Sequence, residues 1–465
     1  MVRNDVLQLE ITGLTSECDG VGRASGLAVF VEGALPGDTV MAKITKLKKS
    51  YAHGRTIRLV KPSPDRVTPP CKALKCGGCS LQHASYESQL RLKRQRVQDD
   101  LERLGGIHGV TVPEAIGMKD PLHYRNKALY PVGMSNGKLV MGFYEKGSHD
   151  IIPADACLIQ SESCSAALAA IQQFVEGSGI SIYDEATNQG LLRHVLIRVG
   201  EGADDSGNVI EEIMVCLVIN GDTLPNILYL KNICSRMIPT LKTIVLNTNT
   251  KASNTILGSA CKTIWGPGFI HKKIFDLVFE VSPLSFFQVN TAQAEVLFGL
   301  VLEMAELEED ETAVDLHCGA GAITLLLARK AKSAIGIEIS EEAVKDAVRN
   351  AELNSIKNVE FIAAPTEEAM PALVEKGATA DLVVVDPPRK GCDPATIAAI
   401  LAMAPKKIVY VSCDPGTLAR DLKILINGGY SLDRIQPLDM FPMTSHVETV
   451  TRLTKTETAP EASQE

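Results

Sequence analysis

The stretch "KIVYVSCDPGTLARDL", Lys407 to Leu422, puts a cysteine where chemistry can reach it. Ile408 to Val411 is an unbroken apolar run of the kind that fills an interior parallel strand. Asp414-Pro415-Gly416 is a turn signal, and Thr417 to Leu422 opens a helix. Cys413 is therefore expected at the carboxyl end of a strand, where open α/β sheets bind ligands. A second such place is "VDLHCGAGAIT", in which Gly319 and Gly321 form a turn between a strand and a helix and let a ligand approach the backbone. Glu338, seventeen residues after Gly321, closes the next strand and is placed to accept hydrogen bonds from a ribose diol. The turn has two of the three glycines a dinucleotide pyrophosphate needs, which favours a nucleoside cofactor without phosphates, S-adenosylmethionine, over NAD.

"VVVDPPRKG" places Asp386 at another strand end, with Pro387 and Pro388 forcing an extended loop. A strand-end Asp can equally cap the turn that follows. Methylation of an exocyclic amine uses a similar loop with an aromatic after the prolines; Arg389 stands there, which disfavours that reaction. An electron-poor ring carbon such as C5 of a uracil suits Cys413 better. That carbon takes a methyl group from a sulfonium only once a thiolate has added to C6 and made C5 enolate-like. The proton on C5 must then leave before the thiolate can, so a general base is required. "MTSHVETV" offers His446 and Glu448, which share a face if both lie on a strand. The bland alternative for Cys413 is a buried structural thiol.

The elements that must hold these residues divide the 465-residue chain. From Asp310 onward, strands and helices alternate as in a doubly wound parallel sheet. The first sixty residues are short strands punctuated by Gly and Pro, a small β-barrel, and "KPSPDRVTPP", Lys61 to Pro70, is a linker. Leu90, Val97, Leu101 and Leu104 fall at helical spacing before a glycine stop. Asp120 to Thr255 is an α+β stretch without assignable chemistry, and the tail "TKTETAPEASQE" has no apolar face and is expected to be disordered.

A hydrophobic content of 45% and 22% charge describe a soluble globular protein. Nothing approaches the length of a membrane span or a signal peptide, so a cytoplasmic location is expected. The net charge of −9 hides a basic run: Lys43 to Arg66 holds eight basic residues against Asp65. "RLKRQR", Arg91 to Arg96, adds a second cluster, and together they favour a polyanionic partner. Of twelve cysteines, Cys71, Cys76 and Cys79 crowd into "CKALKCGGC". With a fourth thiolate they suit a zinc or an iron–sulfur site.

"SFFQVN" (Ser285 to Asn290), "DLHCGAG", "DPPRKG", "VSCDPGTLARDL" and "HVETV" together resemble the RumA/TrmA family of S-adenosylmethionine-dependent RNA uracil-5 methyltransferases, over most of residues 276–453. The resemblance implies that Cys413 is the nucleophile and Glu448 the base. It also implies that Gln288, His317, Gly319, Gly321, Glu338 and Asp386 meet the cofactor. His317 replaces a commoner aromatic, and Pro365 a polar residue. The first sixty residues look like a TRAM domain, an OB-like RNA-binding barrel. The cysteine segment looks like the one that binds a [4Fe–4S] cluster in the RumA branch, with Cys157 of "PADACLIQ" as fourth ligand to Cys71, Cys76 and Cys79. Cys164 is a substitute.

The expected architecture is thus multidomain: an OB-like TRAM barrel over 1–62, a central α+β domain with iron–sulfur ligands over 63–275, a Rossmann-like α/β methyltransferase over 276–455, and a disordered tail at 456–465. By resemblance the partner is RNA, with 23S ribosomal RNA ahead of tRNA, and no protein partner is inferred. A catalytically silent RNA-binding scaffold would lack Cys413 or Glu448. A radical enzyme would show C-x3-C-x2-C rather than the four-residue first gap seen here.

Overall fold

The structure is a computed structural model that describes residues 1–154, 157–203 and 206–456. Of the tail "TKTETAPEASQE" expected to be disordered, Thr454 and Lys455 instead end the strand Glu448–Lys455, Thr456 follows it, and residues 457–465 lie outside the described residues. Alternating small and β-branched residues build a six-stranded N-terminal sheet in the order Val6–Glu10, Thr39–Leu47, Tyr51–Lys61, Leu27–Glu32, Gly20–Ala24, Gly13–Leu14. Val29, Val31, Val40, Ala42, Ile44 and Ala52 point inward as its core. Lys43, Lys46, Lys48, Lys49, Arg55, Arg58 and Lys61 are exposed, the strict alternation of faces being broken by register shifts between Thr39–Leu47 and Tyr51–Lys61. The segment expected to be a free linker is instead pinned beneath this sheet. Arg66 pairs with the buried Asp38 at 2.5 Å, and Ser63 N–H donates to the same carboxylate at 2.8 Å.

A second sheet runs Ala260–Trp265, Leu241–Thr248, Val209–Ile219, Leu192–Ala203, Lys127–Ser135, Lys138–Tyr144, Ile151–Pro153. One face packs on the helices Ser163–Ser178 and Ile227–Met237. The other presents Leu196, Cys216 and Val245 and sends Arg198 to the carbonyl of Ser285 at 2.5 Å.

The third sheet has the order Val359–Ala363, Ser333–Glu338, Thr312–Leu316, Leu382–Val385, Lys407–Ser412, Glu448–Lys455, Tyr430–Leu438. The first five strands are parallel, while Glu448–Lys455 runs antiparallel to both its neighbours. The order reverses between Thr312–Leu316 and Leu382–Val385, which opens a crevice at their carboxyl ends. Among the described residues no helix is long and apolar enough to cross a membrane.

Two expected boundaries move. The break at 275/276 falls in the turn of the hairpin Ile270–Ile274/Leu277–Val281, and both of its strands pack into the C-terminal core through Ile270, Ile274, Leu277 and Phe279. The helix Tyr86–Asp100, assigned to the central segment, packs Val97, and Leu101 directly after it, against the third sheet. Its "RLKRQR" cluster is structural, which corrects its reading as a phosphate contact. Arg91 pairs with Asp65, Arg94 donates to the Val112 carbonyl, Arg96 pairs with Asp414, and Lys93 is buried against Asp439 with the two side chains 1% and 0% exposed.

Removing one member of a buried pair strands the other charge, at a cost of about 3–5 kcal/mol. Lys93→Ala is therefore expected to lower the chemical-denaturation midpoint sharply. Lys93→Met with Asp439→Leu should recover most of the loss, because no charge is left unpaired. An unchanged midpoint in Lys93→Ala would refute the pairing.

Candidate active site

The last strand is reversed, so its first residue lies beside the carboxyl end of the strand before Cys413. Ser412 is paired with Thr449. That register brings Glu448 next to Cys413 at the mouth of the crevice, from 35 residues away in sequence. Asp414 accepts from Thr417 N–H at 3.0 Å and caps the helix Pro415–Asn427. Proline at the first helical position starts that helix without wasting a donor. The cap turns the chain directly after Cys413 and leaves its thiol half-buried at the rim.

Around these two lies a cleft of about 1140 Å³ whose lining includes Gln288, His317, Gly319, Glu338, Asp386 and Arg389. The loop of Gln288 is anchored on both sides. Ser285 bonds to Asp346, Phe287 is buried against Phe279, and Asn290 caps the helix Thr291–Ala305 while donating to the Met440 carbonyl at 3.0 Å. Glu338 accepts from Gly319 N–H at 3.1 Å and Ser340 N–H at 2.9 Å, so its carboxylate is oriented before any ligand arrives. Asp386 N–H donates to the Leu316 carbonyl at 3.2 Å, tying its loop to the glycine turn. His317 holds a left-handed backbone, φ 64°. Its Nε2 lies 3.4 Å from Thr366 Oγ1.

Of the residues expected to meet a cofactor, Gly321 is the exception: it does not line this cleft. A Cβ there would come within 3.1 Å of both Ala347 and Phe361, at φ 85°, so its bareness serves helix-to-sheet packing. His446 also departs from expectation. It precedes the strand rather than sharing a face with Glu448, and its ring lies 3.1 Å from Arg389. Burial first, and then Arg389, lower its pKa to about 4, so it is neutral.

Charge in the cleft is unusually protonated. Burial, reinforced by Asp386, pushes the Glu448 carboxyl up to about 8 against the pull of Arg389. Burial takes Asp386 and the deeper Asp315 up to about 7. Burial and then the Glu448 and Asp386 carboxyls push the Cys413 thiol up to about 12, with Arg389 opposing. Arg389 and Phe441, which also lines the cleft, are functional candidates that the reading of the sequence missed. The signal was available for Arg389, which directly follows the two prolines.

The remaining expected ligands also assemble. Cys71, Cys76, Cys79 and Cys157 line one apolar cavity of about 50 Å³ together with Met443. Burial and then the other three thiols push Cys79 up to about 12. Among the described residues no three His, Cys, Asp or Glu side chains meet at the spacing of a single metal ion. Cys164 lies elsewhere, buried in the core of the second sheet. The cysteine segment is bonded to the loop before Glu448: Leu81 N–H donates to the Met443 carbonyl at 2.9 Å, and Ser445 N–H to Ser80 Oγ at 3.1 Å. On the N-terminal sheet, the rings of Phe30, Tyr51 and His53 lie within 5.4–5.7 Å of one another, beside the exposed lysines.

Comparison with known proteins gives this arrangement its context. The family described as tRNA (uracil-5-)-methyltransferase matches residues 271–456, and the TRAM domain matches residues 3–57. A protein of Halalkalibacterium halodurans described as an uncharacterized RNA methyltransferase is 46% identical over 449 residues, 96% of each chain. The chain belongs to the RNA uracil-5 methyltransferase family. A relative in Listeria innocua, described in the same words, is 45% identical over 97% of this chain and 98% of its own. The solved tRNA (uracil-54, C5)-methyltransferase of Pyrococcus abyssi, in complex with S-adenosyl-L-homocysteine, is 29% identical with a TM-score of 0.76, covering 96% of this chain and 100% of that one. The chain is thus an S-adenosylmethionine-dependent RNA uracil-5 methyltransferase whose N-terminal sheet is a TRAM domain.

A carboxyl raised by folding binds its proton more tightly in the native state. Its contribution to stability is full below the unfolded pKa and is lost as pH rises through about 8. Glu448→Gln, which carries no charge, is therefore expected to melt near wild type at acidic pH and several degrees above it at alkaline pH. Equal melting temperatures on the alkaline side would show that Glu448 is not held protonated.

Proposed function

We propose that the chain methylates C5 of a uridine in 23S ribosomal RNA through a covalent bond between Cys413 and C6. The observation that carries this reading is the meeting of Cys413 and Glu448 across adjacent antiparallel strands, at the mouth of one large cleft. Gln288, His317, Gly319, Glu338 and Asp386 hold the methyl donor; its sulfonium supplies the methyl group. The target base leaves its stack to enter, and Phe441 and Pro388 line the space it would occupy. The Cys413 thiol gives up its proton to water, and the thiolate adds to C6 and pushes an electron pair to C5 and O4. C5 then takes the methyl group, with the methyl–sulfur bond breaking to leave S-adenosylhomocysteine. Glu448 accepts the proton from C5, and the Cys413–C6 bond breaks to restore the double bond. Arg389 is the cation available to steady the thiolate.

The barrel's exposed lysines supply sequence-independent phosphate contact, and Phe30, Tyr51 and His53 form a face on which bases can stack. The four cysteines suit a [4Fe–4S] cluster. They line one apolar cavity, and the cluster itself is what the resemblance of their segment to the RumA branch implies. Because their segment is bonded to the loop that leads into Glu448, their part is to hold that loop in place. Ribosomal RNA is placed first because the cysteine segment and barrel together resemble the RumA branch. A tRNA substrate is the second reading, favoured by the Pyrococcus abyssi enzyme, whose described substrate is uracil-54 of tRNA.

Tritium release from C5-tritiated uridine should occur with 23S RNA and wild-type protein and be abolished in Cys413→Ala; release from tRNA alone would transfer the assignment to tRNA. Glu448→Gln should stall after methyl transfer and accumulate a protein–RNA adduct on denaturing gels. Adduct that also forms in Cys413→Ala would refute Cys413 as the nucleophile. Protein purified without oxygen is expected to carry iron and acid-labile sulfide, both lost in Cys79→Ser. Zinc without sulfide would overturn the cluster.

A further inference from the structure

The helix Tyr86–Asp100 meets the loop that leads into Glu448 with two cations one turn apart on the same face. Lys93 takes the entrance of the loop, through Asp439 and the Phe441 carbonyl. Arg96 takes its exit: Nη1 donates at 3.3 Å to the carbonyl of Ser445, which precedes the strand that opens with Glu448. The other arm of the same guanidinium goes elsewhere. Nη2 donates to Asp414 Oδ2 at 3.2 Å, and Asp414 is the residue directly after Cys413. Arg96 therefore joins the chain beside the nucleophile to the chain beside the base, through a rigid planar fork. Its side chain is 20% exposed, and Asp100 stands 3.9 Å from its Nε on the next turn of the helix, so it has little freedom to swing away.

Both ends of this bridge are firm. Asp414 spends its other carboxylate oxygen on Thr417 N–H at 3.0 Å, capping the helix Pro415–Asn427. Ser412 Oγ donates to the Asp414 carbonyl at 2.9 Å and accepts from Asp414 N–H at 3.2 Å, which closes the turn around Cys413. On the other side Ser445 N–H is held by Ser80 Oγ at 3.1 Å. The ladder between Lys407–Ser412 and Glu448–Lys455 ends at the pair Ser412 and Thr449. Cys413 and Glu448 both lie beyond that last pair, so the ladder alone does not fix the gap between them.

We propose that Arg96 is a positioning residue for the methyl transfer, which sets the distance between the Cys413 sulfur and the Glu448 carboxyl by holding Asp414 and Ser445 at a fixed separation. The inference rests on the nucleophile and base roles proposed above. C6, which the sulfur attacks, and C5, which gives up its proton, are bonded neighbours in one ring, so a single bound base must suit both groups without moving. A misplacement of about 1 Å at such a site can cost about 100-fold in rate. Arg96 does not line the cleft and acts only through the two segments it joins.

The test is steady-state tritium release by the full chain, with S-adenosylmethionine and whichever of 23S RNA and tRNA wild type turns over. In Arg96→Met, kcat is expected to fall about 100-fold while KM for donor and RNA stays within about twofold of wild type. Asp414→Asn keeps the oxygen that caps the helix and loses the charge that faces Arg96. It should fall in the same way, and the double variant no further than Arg96→Met alone. Arg96→Lys, whose single ammonium cannot hold both segments, should recover little of the loss. If Arg96→Met fails to fold, Asp414→Asn decides the matter. A kcat within about threefold of wild type in Asp414→Asn, losses that multiply in the double variant, or full recovery by Arg96→Lys each overturn the bridge. So does a KM for RNA that rises in step with the loss, which would make Arg96 an RNA contact. Turnover by Cys413→Ala overturns the nucleophile reading and this inference with it. An inactive Cys413→Ala beside an undiminished Arg96→Met overturns this inference alone.

Discussion

The buried pair of Lys93 and Asp439 is the interaction on which the catalytic arrangement depends. Taking both charges out of water costs several kcal/mol per ion and is offset only by close contact and added hydrogen bonds. Lys93 finds one further acceptor, the Phe441 carbonyl at 3.1 Å. Such a pair contributes little net stability, but it tolerates almost no displacement. Here it fixes the entry to a loop that must deliver Glu448 into register with the strand before Cys413. Tyr124 donates to the Pro442 carbonyl at 3.0 Å, and Gln89 accepts from Met443 N–H at 2.9 Å. These bonds let Met443 hold a left-handed backbone, φ 68°, that a free loop would abandon.

The same enclosure sets the electrostatics. Asp386 and Glu448 line the cleft with Arg389, and Asp315 lies buried beneath it; burial raises all three, Asp315 and Asp386 to about 7 and Glu448 to about 8. A positively charged donor entering the cleft would favour their ionised forms. Arrival of a cationic ligand and loss of a carboxyl proton are thereby coupled.

Much of this was legible because it is local. Apolar runs that end in turn residues mark strand ends, and Cys413, Asp386, Glu338 and Gly319 stand where those signals put them. What escaped notice is non-local. Gly319 and Gly321 both have positive φ, and only the approach of Phe361 from a distant strand separates a cleft residue from a packing residue. The charge pattern of Arg91 to Arg96 gave no hint that Lys93 would meet an acid 346 residues away. A period of two reads the same in either direction, so the reversal of Glu448–Lys455, which brings Glu448 beside Cys413, leaves no trace in that strand's own residues. The boundary at 275/276 was set where the resemblance begins, and it cuts the Phe275–Asp276 turn of a hairpin whose two strands share one core.

The bonds from residues 80–93 to residues 439–445 also bear on how the enzyme is made. They join segments at least 346 residues apart in sequence, and contacts of that span form late because long loops must close first. Until Asp439 emerges Lys93 has no counter-ion, and until the strand Glu448–Lys455 follows it the Cys413 strand lacks the neighbour that completes its cleft. The barrel can therefore form well before the cleft does.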